Sequence, residues 1–234
     1  MIIFHTDQID VNSGVLYGDE SNHCSRVLRK KVGDIITVID GYGFFYESKL
    51  TSLDKNECHF EVIRNWQQNQ SEYKIQVAIS PLKSLPRFEW FIEKAVEIGV
   101  DTIVPIICSR TEKSNLKMSR LKNIVIAASK QTLKAKFTEI FEPQDFNSYI
   151  NNINSDQAFI PHLNNETEYL GKLINRGLFY SVLIGPEGDF TEAEVSNAIS
   201  NGIIPASLGG HRLRTETAGI VAGQILNTIN ESKK

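Results

Sequence analysis

With 234 residues and 41% hydrophobic content, the chain is long enough for one large domain or two smaller ones, each with a core. Its three cysteines, Cys24, Cys58 and Cys108, are isolated and argue against both a disulfide framework and a zinc site. No apolar run approaches the ~18–20 residues that span a bilayer, and Met1–Asp7 lacks the basic flank of a signal peptide, so a cytoplasmic protein with no membrane partner is expected.

Up to about residue 70 the pattern is β. Ile35–Asp40 reads as a strand, Gly41-Tyr42-Gly43 as a turn and Phe44–Leu50 as the return strand, with Cys58–Ile63 a further alternating run. A small β-barrel fits this segment. The polar run Asn65–Glu72 is the linker candidate, which divides the chain into residues 1–70 and 73–234.

From Tyr73 onward strands alternate with helices. Ile75–Ile79 is predicted as a strand, followed by a helix capped by Ser84, with Pro86 in its first turn and Gly99 at its end. Ile103–Ile107 is the next strand and Ser119–Thr132 the next helix. Further strands are expected at Ala158–Ile160, Tyr180–Ile184 and Ile203–Leu208. Thr191 with Glu194 forms a capping box for a helix ending at Gly202. A last helix begins near Thr215, with Val221, Ala222, Ile225 and Ile229 facing inward. The alternation predicts an α/β domain with a mostly parallel sheet covered by helices on both faces.

The net charge of −3 promises no general affinity for nucleic acid, but the basic residues are clustered. Eight lie between Ser109 and Lys136 against one acid, Glu112, and Arg26, Arg29, Lys30 and Lys31 form a second group. Such density supplies the phosphate-neutralising part of RNA affinity, although a solvated helix face fits the same charges. His5, His23, His59, His162 and His211 do not have the spacing of a metal cluster, so no metal is expected.

Two segments carry the chemistry. Leu183-Ile184-Gly185-Pro186-Glu187-Gly188 is a buried strand that breaks into a glycine turn. Ser207-Leu208-Gly209-Gly210-His211-Arg212-Leu213-Arg214-Thr215-Glu216-Thr217 repeats the design and runs into a helix that Thr215 or Thr217 can cap. Bare backbone at such turns suits an adenine edge or a ribose, and turns at the carboxyl ends of neighbouring strands are where α/β proteins place small ligands. The first segment is neither a P-loop nor a dinucleotide fingerprint. Arg212 and Arg214 bring cationic donors to the strand mouths, and Glu216 favours the positive end of its helix.

Together these two segments closely resemble the RsmE type of the SPOUT class of RNA methyltransferases. The resemblance covers almost the whole chain. His23-Cys24-Ser25-Arg26-Val27-Leu28-Arg29 with Gly33-Asp34 matches the motif of the family's small PUA-like RNA-binding barrel. Phe88-Glu89-Trp90 through Lys94-Ala95-Val96-Glu97-Ile98-Gly99 matches its first catalytic-domain helix. Ala127–Thr132 resembles a helix that usually has Glu before the Gln, and Arg where this chain has Lys134. His162 sits where a His often follows the strand entering the cofactor site. The chain departs at Asp189, usually Gly, and at His211, often Arg.

The resemblance implies a C-terminal trefoil knot in the SPOUT-type sheet, S-adenosylmethionine bound bent within it, and a homodimer with each site near the interface. His162, Ile184, Gly185, Pro186, Glu187, Gly188, Ser207, Leu208, Gly209 and Leu213 would line the cofactor, largely through backbone groups. Its substrate would be N3 of a uridine in 16S rRNA, within the small ribosomal subunit or as free RNA. His23, Arg26, Arg29, Lys30 and Lys134 would grip that RNA. Arg214, with Arg212 or His211, would stabilise the uracil enolate, and Glu216 would orient the arginine or take the proton. A non-catalytic ribosome-assembly factor and a SPOUT enzyme acting on tRNA are the alternatives.

Overall fold

The computed structural model of the chain describes residues 2–54, 56–162 and 167–231, which fall into two units. The first holds Met1–Gln70 with Ile126–Phe137, and the second holds Ser71–Val125 with Thr138–Lys234.

In the first unit β1 (Ile3–His5), β2 (Ser13–Tyr17), β3 (Ile35–Ile39), β4 (Phe44–Leu53) and β5 (Glu57–Gln67) form a sheet in the order β1-β3-β4-β5-β2. Ile36, Val38, Tyr46, Leu50, Cys58 and Phe60 turn inward onto Phe4, Leu16 and Cys24. The two ends of the strand order meet. The Val15 N–H donates to the Gln8 carbonyl at 3.0 Å and the Thr6 hydroxyl to the Val15 carbonyl at 2.6 Å. Between β2 and β3 run α1 (Gly18–Asn22) and a π-helical turn over His23–Val27.

Two expectations are corrected here. Asn65 and Trp66 are not linker residues; they pair with Tyr46 and Phe45, and the Trp66 ring stacks on Phe45 with centroids 5.3 Å apart. That cross-strand contact extends β5 to Gln67. Residues 126–137, expected with the second domain, pack into the first unit. Ala135 is buried among Ile3, Ile39 and Phe45, its N–H donates to the Gln68 side chain at 2.6 Å, and Lys130 pairs with Glu20.

The second unit is an α/β fold on a parallel sheet. Its strands are β6 (Lys74–Ile79), β7 (Thr102–Ile107), β8 (Glu139–Ile140), β9 (Gln144–Asp145), β10 (Gln157–Pro161), β11 (Phe179–Ile184) and β12 (Ile204–Ala206). The order is β12-β10-β11-β6-β7-β8, with β9 also on β7. Residues 75, 77–79 and 182–184 are buried without alternation, as expected of parallel strands covered on both faces.

The helices are α2 (Leu85–Glu97), α3 (Met118–Gln131, its end counted in the first unit), α4 (Phe146–Asn151), α5 (Leu170–Leu173), α6 (Glu192–Ser200) and α7 (Thr215–Glu231). Phe88, Phe91, Ile92, Ala95 and Val96 form the buried face of α2, which ends where Gly99 adopts φ +90°. Thr191 and Glu194 make both hydrogen bonds of the capping box of α6.

The buried face of α7 differs from the expected one. It runs through Gly219, Ala222, Gly223 and Leu226, while Val221, Ile225 and Ile229 are half-buried. Small residues set this face: a Cβ at Gly219 would lie 2.6 Å from the Phe91 ring, and one at Gly223 would lie 3.1 Å from Ile98. The glycines let α7 lie close against α2. Asn227 locks the contact by donating to the Ile98 carbonyl and accepting from the Tyr73 hydroxyl at 2.9 Å. Among the described residues no helix is long and apolar enough to cross a membrane.

Candidate functional site

Because β10 lies between β11 and β12, the two glycine turns flank Pro161 and His162 and do not stand on adjacent strands. All three strands are parallel, so their carboxyl ends open on one edge of the sheet. A cavity of about 1260 Å³ occupies that edge. It exceeds the roughly 300–1,000 Å³ of common small-ligand pockets and has room for a cofactor beside a second reactant.

The first turn contributes Ile184, Gly185, Pro186 and Glu187 to the wall. Glu187 accepts the Lys83 N–H at 3.2 Å, which ties the turn to the loop after β6. Gly188, between the wall residues Glu187 and Asp189, does not itself line the cavity. Its carbonyl accepts from Arg110 Nη1 at 2.6 Å, and the arginine side chain fills the space where a Cβ would stand. Asp189 adopts φ +63°, the left-handed region that explains why Gly is usual there; its own carboxylate accepts the Phe190 N–H at 2.8 Å.

The second turn contributes Ser207, Leu208, Gly209, Gly210, His211, Arg212, Leu213 and Arg214, followed by Thr215 and Glu216. Gly209 has φ +121°, and a Cβ at Gly209 or Gly210 would meet no atom within 4 Å. Bare backbone therefore faces open cavity, as a ligand held by main-chain groups requires. The helix starts one residue after Arg214, whose carbonyl accepts the Ala218 N–H at 2.7 Å. Thr215 and Thr217 thus lie inside the helix and not at the cap position expected for them. His211, Arg212 and Arg214 are exposed, whereas Glu216 is buried.

His162 lines the same cavity beyond β10. Sequence reasoning missed Thr167, Glu168 and Tyr169, which return beside the second turn; the Ser207 N–H donates to the Glu168 carbonyl at 2.8 Å. It also missed Arg87 of α2, whose Nε lies 3.9 Å from Glu216 Oε1. Nothing in the spacing near Arg87 marks it, because its role depends on the α2–α7 contact. Among the described residues no group of three or more His, Cys, Asp and Glu side chains is placed to hold a metal ion.

The expected RNA-gripping residues lie in the first unit. Arg26 and Arg29 are exposed, Arg29 at φ +52°, while Lys30 and Lys134 are half-buried. His23 is half-buried with its ring 5.9 Å from Phe4. Of the eight cations between residues 109 and 136, Arg110 serves the first glycine turn, Arg120 pairs with Glu89 and Lys130 with Glu20, so they do not form one free basic surface.

A family model described as an RNA methyltransferase domain matches residues 69–227, and one described as an RNA methyltransferase PUA domain matches residues 16–63. The ribosomal RNA small subunit methyltransferase E of Aquifex aeolicus is 31% identical over 232 residues, covering 97% of this chain and 99% of that protein. The chain belongs to the RsmE family. A probable rRNA methyltransferase from Porphyromonas gingivalis matches this fold with TM-score 0.94 and 35% identity over all of both chains. The RsmE enzyme of Neisseria gonorrhoeae, solved bound to S-adenosylmethionine, matches with TM-score 0.89 and 26% identity, again over all of both chains.

Proposed function

We propose that this RsmE-family enzyme methylates N3 of a specific uridine in 16S rRNA, with the cavity at the ends of β10, β11 and β12 as its active site. The observation that carries this reading is the convergence of both glycine turns, His162 and the Arg212–Arg214–Glu216 cluster on one cavity. S-adenosylmethionine supplies an electrophilic methyl group when bound. Ile184, Gly185, Pro186, Glu187, Ser207, Leu208, Gly209 and Leu213 hold it, largely through main-chain groups, with His162 at the edge.

Uridine N3 carries a weakly acidic proton on the pairing edge, so the base must be unpaired and its developing negative charge stabilised. Arg214, with Arg212 or His211, donates to the uracil oxygens, and Glu216 orients that arginine or takes the proton. Arg26, Arg29 and Lys30 of the first unit, with His23 and Lys134, hold the RNA by its phosphates. The family resemblance further supports α7 threaded through a trefoil knot and a homodimer formed around α7, whose Ile220, Val221 and Ile225 are half-buried.

Mass mapping of modified uridines in small-subunit RNA, from cells with and without the protein, tests the reading. Loss of one N3-methyluridine in the deletion is expected. Identical maps would favour an assembly factor without turnover, and a change confined to tRNA would favour the other SPOUT substrate.

A further inference from the structure

Glu216 is 6% exposed and lines the cavity, yet its Oε2 has no hydrogen-bond donor among the described residues. Its Oε1 stands 3.9 Å from Arg87 Nε, beyond hydrogen-bond range. A buried carboxylate left without donors is costly, and natural interiors seldom tolerate one without a use. Arg87 is half exposed on the same cavity wall. The α2–α7 contact places the two together: Arg87 stands one turn before Phe91, Glu216 one turn before Gly219, and Phe91 packs on Gly219.

Resting on the methyl-transfer reading above, we propose that Arg87 and Glu216 form a donor–acceptor pair that reads the pairing edge of the target uracil. That edge offers one donor, N3–H, between two carbonyl acceptors. The Glu216 carboxylate accepts from N3–H while the Arg87 guanidinium donates to a flanking carbonyl oxygen, so the substrate brings the donor the carboxylate lacks. A cytosine would turn the N3 lone pair toward the carboxylate and is rejected by repulsion. In the transfer, the N3–H bond breaks with its proton passing to Glu216. The nitrogen's electron pair makes the new N–C bond, and the donor sulfur keeps the pair of the broken C–S bond. Arg87 offsets the negative charge that gathers on the carbonyl oxygen.

The test uses the full-length protein with small-subunit RNA and compares Arg87→Ala, Arg87→Lys and Glu216→Gln with the wild type. Single-turnover methylation of Glu216→Gln is expected to fall at least ~10²-fold near neutral pH, and the deficit to shrink toward about pH 9, where hydroxide replaces the lost base. Its melting temperature should be no lower than that of the wild type, because Oε2 has no donor to lose among the described residues and the Arg87 guanidinium stands beyond hydrogen-bond range of Oε1. Arg87→Ala should lose at least ~10-fold in rate with unchanged cofactor affinity by calorimetry, and Arg87→Lys should recover part of it. RNA with cytosine at the target position should bind Glu216→Gln more tightly than the wild type, since the amide can donate to N3. A deficit independent of pH, a lower melting temperature for Glu216→Gln, or a wild-type rate for Arg87→Ala would overturn the pair. A wild-type protein that leaves uridine N3 unmethylated would instead overturn the reading beneath it.

Discussion

Arg214 occupies the last position before α7, exposed to the cavity, while the neighbouring turn offers backbone. On the proposed reading the side chain serves the substrate while main-chain groups hold the cofactor. Arg214→Ala should lower single-turnover methyl transfer by at least ~10²-fold at saturating cofactor, through lost stabilisation of developing negative charge. Cofactor affinity should stay unchanged, and Arg214→Lys should recover only part of the rate, because an ammonium cannot make two parallel hydrogen bonds to one edge. A wild-type rate would move the role to Arg212 or His211. At this scale much of the site was legible, because a strand followed by a glycine turn and a helix is local chemistry. Asp189 shows the limit: its departure from glycine was visible in the sequence, but its φ of +63° and the Phe190 N–H that offsets it were not.

Among elements, the α2–α7 pair bears most directly on the site. A methyl group at residue 219 would stand 2.6 Å from Phe91 Cε2 and 3.2 Å from Ile79 Cδ1, both on fully buried side chains that have no room to retreat. Gly219→Ala should cost about 1–3 kcal/mol in urea unfolding and slow methyl transfer as well, because it pushes Glu216 away from Arg87. Wild-type stability would mean that the helices tolerate a wider separation. Hydrophobic periodicity alone turned α7 toward Val221, Ile225 and Ile229, since it scores bulk and cannot recognise glycines as the contact. The place of β10 between the two glycine-turn strands was equally hidden, because parallel strand order is set by long-range packing that leaves no local mark. The capping box of α6, confined to four residues, was fully legible.

For the molecule as a whole, the buried thiols set a limit at alkaline pH. Burial, then the neighbouring Cys58, pushes the Cys24 thiol from 9.0 up to about 12, and burial also raises Cys108. Burial, then Glu231, pushes the Tyr73 hydroxyl up to about 12. Each group is held neutral in the fold and ionises sooner in the unfolded chain. Their contribution is thus complete below about pH 9 and is lost as pH rises toward the folded values. Urea unfolding across that range should show stability falling above about pH 9, with a shallower fall in Cys108→Ala. An unchanged slope in that variant would assign the loss elsewhere. A second prediction concerns the substrate: reversing Arg26 and Arg29 to Glu should weaken RNA binding and flatten its salt dependence while cofactor affinity holds. Retained affinity and salt slope would take the first unit's basic turn out of the RNA grip.

The walls of the cavity come from Arg87, from the ends of β10 and β11, and from β12 through Ala218, a span of more than half the chain. Contacts so distant in sequence close slowly, after local helices and hairpins have formed. In stopped-flow refolding, recovery of cofactor binding should therefore lag behind recovery of far-ultraviolet dichroism; simultaneous recovery would mean that the sheet edge closes with the first collapse. During synthesis the same order applies. Until the residues after β12 have left the ribosome, the nascent chain has no second wall for the cavity, and no copy can hold a ligand there before its own synthesis is nearly done.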